Sequence, residues 1–340
     1  MKKHSYAPEL TVFSGLAILF VVAIHASASA LSILYPSANG YDDAGMVLRS
    51  FFNLVSCSVP MFIFASGFKF FLHDKQTSYF IFLKKRLPRV LMSFFLINTL
   101  FWLLDSIIWM ESFNPILLIK TYLASWLGYT VAYPLWYIPM YCFVILLCPL
   151  VSRLIHDSRI RFTLYLTLGI AQIIASIYVP ILSKKPFTFL AYPMFFELGT
   201  IVAEYNLKKY LSQRFPLALI YLPLIVLISC AAPSLSRSGL FSYLILDTLG
   251  VLIYFQLSAL LQENKILFWL GTISYPIFLF HEPILGHLTT NLLKNLHITM
   301  VGAYLFLWII LVLFATTALI YLLKHLHLNR LLWEFRLKCI

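Results

Sequence analysis

Charge is scarce in this chain: 11% of its 340 residues are Asp, Glu, Lys or Arg, and 13 are acidic. Soluble domains carry about 25% charged residues, so a soluble globular fold is excluded. Cysteine is sparse as well. Cys57, Cys142, Cys148 and Cys230 lie inside apolar segments and Cys339 is penultimate, with no C-x-x-C and no Cys/His spacing suited to a metal. They read as packing residues, and no metal is expected. Repeats, low-complexity tracts and interdomain linkers are also lacking, which makes residues 1–340 a single domain in the simplest reading.

What the chain has instead is apolar bulk. Hydrophobic residues make up 61%, aromatics 17%, and the mean hydropathy is +0.88. A membrane span needs roughly 20 mostly apolar residues, so this length has room for about ten spans with short loops. Apolar runs between charges place them near 10–34, 47–71, 90–110, 134–152, 161–182, 187–205, 216–233, 239–261, 267–290 and 300–323. All should be helices, because an open sheet edge cannot be satisfied in lipid. The segment 115–133 is apolar enough for a short re-entrant helix, but Lys120 and Gly128 interrupt it, and it is placed at the outer face. The expected fold class is all-α, a multi-pass protein of the cell membrane.

With ten spans, nineteen Lys and Arg residues fall on one side and six on the other. The rule that cytoplasmic loops are the basic ones then puts both termini in the cytoplasm. The net charge of +12 is spread in short clusters between apolar runs, which suits anionic lipid and not nucleic acid. At the N-terminus, Lys2 and Lys3, an apolar run from Leu10 to Ile24 and Ala26-Ser27-Ala28 resemble a cleavable signal peptide. Apolar character continues to Leu34 and a second span follows, which favours an uncleaved helix.

An ionisable side chain inside a span costs about 2.5–3.5 kcal/mol on insertion scales and usually faces a partner or a cavity. His25, Asp105, Glu197, Asp247, His281 and Glu282 are the residues concerned. His25 lies about 15 residues into the first span and His281 about 14 into the ninth, so the two fall at similar depth in the outer half. Histidine exchanges protons near neutral pH, which makes His25 and His281 the candidate catalytic pair. A neutral histidine bonded between helices is the alternative for each. Glu282, on a continuous helix, points about 100° away from His281. Glu197, mid-span, demands a cationic partner or a neutral carboxyl. It is taken as a candidate substrate contact, while Asp105 and Asp247 read as interhelical bonding residues. Arg86 and Arg89, spaced i, i+3, share a helix face and could hold a phosphorylated donor, although a topogenic anchor also explains them. Trp136 and Tyr137 suit an interfacial aromatic belt.

Five segments in order resemble the acyltransferase-3 family over essentially the whole chain. These are Leu16–His25, Val59–Phe68 with Ser66-Gly67, Lys85-Arg86-Leu87-Pro88-Arg89, Pro134-Leu135-Trp136-Tyr137, and Leu270–Pro283 with its Gly-x-x-Ser-Tyr and His-x-Pro pattern. The resemblance implies transfer of an acyl group, commonly acetyl from cytoplasmic acetyl-CoA, to a hydroxyl of an envelope glycan, with His25 essential. No resident cofactor is implied, because the acyl-CoA is a substrate. Arg86 and Arg89 would lie near the donor, and Ser66, Trp136, Tyr137 and Glu197 near the acceptor. Family members usually carry an arginine eleven positions before the histidine, and here that position is Ser14. A glycan exporter and an inactive relative serving as a sensor are the competing functions. A separate extracellular transferase is a possible partner.

Overall fold

The computed structural model describes residues 8–35, 43–109, 115–126, 133–179, 187–207, 221, 223–227 and 242–333. All regular structure among them is helical. The helices used below are α1 (Pro8–Leu34), α2 (Asp43–Val55), α3 (Ser58–Lys69), α4 (Tyr79–Trp109), α5 (Pro115–Trp126), α6 (Tyr137–Leu154) and α7 (Ser158–Tyr178). They continue as α8 (Pro193–Glu204), α9 (Thr248–Leu260), α10 (Lys265–Thr272), α11 (Ser274–Phe280), α12 (Gly286–Asn295), α13 (Val301–His325) and α14 (Asn329–Leu332).

Seven stretches among the described residues are long and apolar enough to cross a membrane: Pro8–Leu34, Val47–Asp74, Tyr79–Leu104, Pro134–Leu154, Ser158–Tyr178, Tyr243–Leu260 and Val301–His325. Each overlaps an expected span. Large apolar side chains on their outer faces are open, such as Phe306 and Phe314 on α13, as a lipid-facing helix requires. The chain is a multi-pass membrane protein.

Two of the other expected spans take a different form, and the third lies largely outside the described residues. Residues 187–205 become a 3₁₀ turn, Phe187–Ala191, followed by the 12-residue α8. The run 267–290 is not one helix but α10, α11, a π-type turn His281–Leu285 and α12. Glu282 inside that turn is extended, with φ −134° and ψ 155°. The cause is in the sequence, because the residue before a proline is pushed out of the α region and Pro283 follows. The region 216–233 is described only at 221 and 223–227. Within the 115–133 segment, Pro115–Trp126 form α5, bonded to α4 through Asn98 Nδ2 to Ser125 Oγ at 2.6 Å and Trp102 Nε1 to Thr121 Oγ1 at 3.1 Å.

Contacts divide the chain into two compact units. Unit 1 is Met1–Lys69 with Leu198–Thr317, and unit 2 is Phe70–Glu197 with Ala318–Ile340. Within unit 1, α1 packs against α10 with backbones almost touching. A Cβ on Gly15 would collide with the Leu267 carbonyl oxygen, and one on Gly271 with that of Thr11. Small residues permit such approach where lipid supplies no hydrophobic drive between helices. Beside this seam Phe13, Phe64 and Phe255 form a closed aromatic cluster, with centroids 5.2–5.7 Å apart. Within unit 2, Tyr79 donates to the Leu146 carbonyl at 2.9 Å, and Arg153 donates to the carbonyls of Pro149, at 2.6 Å, and Thr77.

Candidate active site

His25 and His281 meet in unit 1. Their ring centroids are 5.1 Å apart with the planes inclined by 60°. The position of His25 follows from α1, which runs unbroken past it, whereas His281 caps the end of α11 where the chain breaks. His25 is half-buried and His281 is fully buried.

The hydrogen bonds of His281 settle its tautomer. Its Nδ1 lies 2.9 Å from the Phe278 carbonyl and 3.1 Å from the Ile277 carbonyl. Carbonyl oxygens only accept, so Nδ1 carries the proton and donates to both. Nε2 therefore presents a lone pair. It is buried and has no hydrogen-bond partner among the described residues. Leaving a buried acceptor unmade costs about 1–3 kcal/mol, so such an atom points to a ligand or a reacting proton.

One turn along α1 from His25, Ser29 Oγ lies 2.7 Å from both Thr290 Oγ1 on α12 and Tyr304 OH on α13. Trp308 Nε1 donates to Thr290 Oγ1 at 3.0 Å. These four residues join three helices, and sequence reading missed all of them. Nothing local marks Ser29 and Thr290 as partners, since they stand 261 positions apart.

The remaining expected site residues fall in separate places. Ser66 on α3 donates to the Phe62 carbonyl at 3.0 Å, four positions back. Ser14 is buried and donates to the Leu10 carbonyl at 2.9 Å. In unit 2, Arg86 pairs with Asp74 at 2.8 Å, while Arg89 is exposed. Trp136 sits 5.9 Å from the Tyr192 ring, and Tyr137 stacks on Tyr141 at 5.5 Å. Glu197 faces Arg161, Oε1 to Nη2 at 2.7 Å, with both side chains almost wholly buried. Arg161 also donates from Nη1 to the carbonyls of Ile155 at 2.7 Å and His156 at 2.9 Å. The cation that Glu197 demands is thus supplied by a residue whose charge had served only to orient the chain. No cluster of three or more His, Cys, Asp or Glu able to hold a metal occurs among the described residues.

An acyltransferase domain model matches residues 8–325. The chain belongs to the acyltransferase-3 family. As a member of that family it is a membrane acyltransferase. No curated protein and no solved structure matches the chain.

Proposed function

We propose that this acyltransferase-3 protein moves an acyl group, acetyl in the simplest case, from a cytoplasmic acyl-CoA to a hydroxyl of a cell-envelope glycan or its precursor. The observation that carries the reading is the His25–His281 pair with the unmade Nε2 acceptor of His281. In this reading the acceptor O–H gives its proton to an imidazole nitrogen while its oxygen attacks the thioester carbonyl carbon. The C–S bond then breaks, and the departing thiolate recovers the proton. His25, the more open ring, touches the reacting groups, and His281, its tautomer fixed by two carbonyls, offers Nε2 as a second proton acceptor. A positioned general base contributes roughly 10²- to 10⁴-fold, and holding donor and acceptor together supplies much of the rest.

The chain is taken to cross the bilayer about ten times as one functional domain, with both termini cytoplasmic. Arg89, exposed and outside any salt bridge among the described residues, is the better candidate for the donor's phosphates, since Asp74 already engages Arg86. Trp136 and Tyr137 are retained as acceptor-side contacts on the resemblance alone. A separate extracellular transferase could carry the acyl group onward.

The test is ester-linked acyl content of envelope glycans, measured by mass spectrometry after mild base release, in cells bearing wild type or His25→Ala at matched protein level. Loss of an ester in the mutant is expected. Unchanged esters together with altered glycan export would replace the transferase by a carrier, and no change in either would leave an inactive relative.

A further inference from the structure

The break after His281 puts a carboxylate where a continuous helix would not. Glu282 is extended, and its side chain folds back over Gly286. A Cβ on Gly286 would collide with Oε1 and Cδ and would lie 2.9 Å from Oε2. Glycine at this position therefore provides the berth for the carboxylate. The group is half-buried, and no hydrogen bond or salt bridge joins it to another described residue.

The chain path around it is uneven. Between the His25–His281 contact and the Ser29–Thr290 contact, α1 advances four residues while the other segment advances nine. Four helical residues span about 6 Å. The surplus chain must leave the α1 surface between the two contacts, and Glu282 stands at the point of departure, directly after His281.

The hydrogen-bond inventory of this spot is lopsided. His281 Nε2 can only accept, because Nδ1 holds the proton. An ionised Glu282 can also only accept. The nearby donors are engaged with one another, Ser29 with Tyr304 and Thr290, and Trp308 with Thr290. Two consecutive residues thus offer acceptors that no described residue matches, and a ligand that satisfies them brings donors. A molecule with neighbouring hydroxyls does so. One hydroxyl would reach the histidines for acylation while a second donates to the carboxylate.

We propose that Glu282, seated on Gly286 and next in sequence to His281, is an acceptor-binding residue that selects a polyhydroxylated, sugar-like acceptor. This rests on the acyltransferase reading above. Trp136, Tyr137, Ser66 and Glu197 play no part in it.

The test uses membrane vesicles bearing the full chain and supplied with acetyl-CoA, with acyl-ester yield on the glycan as the readout. Glu282→Gln keeps the shape but loses the charge, and a fall of about ten- to a hundredfold is expected, the worth of a charge-assisted hydrogen bond. Gly286→Ala should produce a similar fall by displacing the carboxylate. In a Glu282→Ala background the same glycine change should have no further effect, which a merely structural glycine would not show. Methyl α-glucopyranoside should compete in the wild type and less so in Glu282→Gln. Yield within twofold of wild type in Glu282→Gln overturns the inference while the transferase stands. Competition by ethanolamine in place of the glucoside overturns the polyol assignment. A wild type that forms no ester removes the function and this inference together.

Discussion

Among the described residues each unit holds a strongly polar cluster, and the two are finished differently. In unit 2 the Arg161 guanidinium meets Glu197 and donates to two backbone carbonyls. Opposite charges face each other with both side chains almost wholly buried, so each compensates the other. In unit 1 the two histidine rings meet, and His281 Nε2 and the Glu282 carboxylate are left as acceptors without donors among the described residues. Both clusters are expensive to place in a bilayer. A matched charge there acts as a rivet, whereas an unmatched acceptor is where a substrate gains binding energy. The ion pair supplies the cation that a buried Glu197 calls for.

The contrast can be broken from either side. The largest expected effect is on activity. His25→Ala should lower ester formation by roughly 10²- to 10⁴-fold with the melting temperature of the detergent-solubilised protein unchanged, so a parallel loss of both would make the histidine structural. Next comes stability. Arg161→Leu leaves Glu197 buried and uncompensated and should cost about 3–5 kcal/mol, read as a lower Tm and lower membrane yield. The double variant Arg161→Leu/Glu197→Leu should recover most of it, and an Arg161→Leu protein of normal Tm would refute the rivet. Gly271→Ala, which pushes α10 off the Thr11 carbonyl, should cost about 1–3 kcal/mol and also depress activity by shifting His281 against His25. The smallest effect is expected of Ser29→Ala, about 0.5–1.5 kcal/mol for the lost hydroxyl contacts. The measurement is Tm of the detergent-solubilised variant, and a drop well above that range would mean that Ser29 holds the three helices together.

The helical class was legible because apolar runs of span length admit little else in lipid, and the seven long stretches coincide with seven expected spans. The pairing of His25 with His281 was legible too, since rise per residue converts position into depth. The break at Glu282 was written in Pro283 but was masked by the apolar length of 267–290. The sidedness of Glu282 was therefore taken from an intact helix, and its closeness to Gly286 was missed. The Arg161–Glu197 pair was half legible: a carboxylate in a span calls for a cation, but nothing in the spacing says which one. The Ser29–Thr290–Tyr304–Trp308 bonds depend on which helices become neighbours, and a hydropathy pattern carries no such information. Ser14 shows the limit of motif reading, because the structure gives it an ordinary backbone bond where the family usually has a guanidinium.

The aromatic cluster of Phe13, Phe64 and Phe255 has a consequence for the path a proton can take. Its rings are fully buried and in mutual contact, and they stand about 18 Å along α1 from His25. These close-packed apolar rings offer a proton no side chain to occupy. In the proposed reaction, a proton taken up at the histidines would meet them between α1, α3 and α9 and would have to leave by another way.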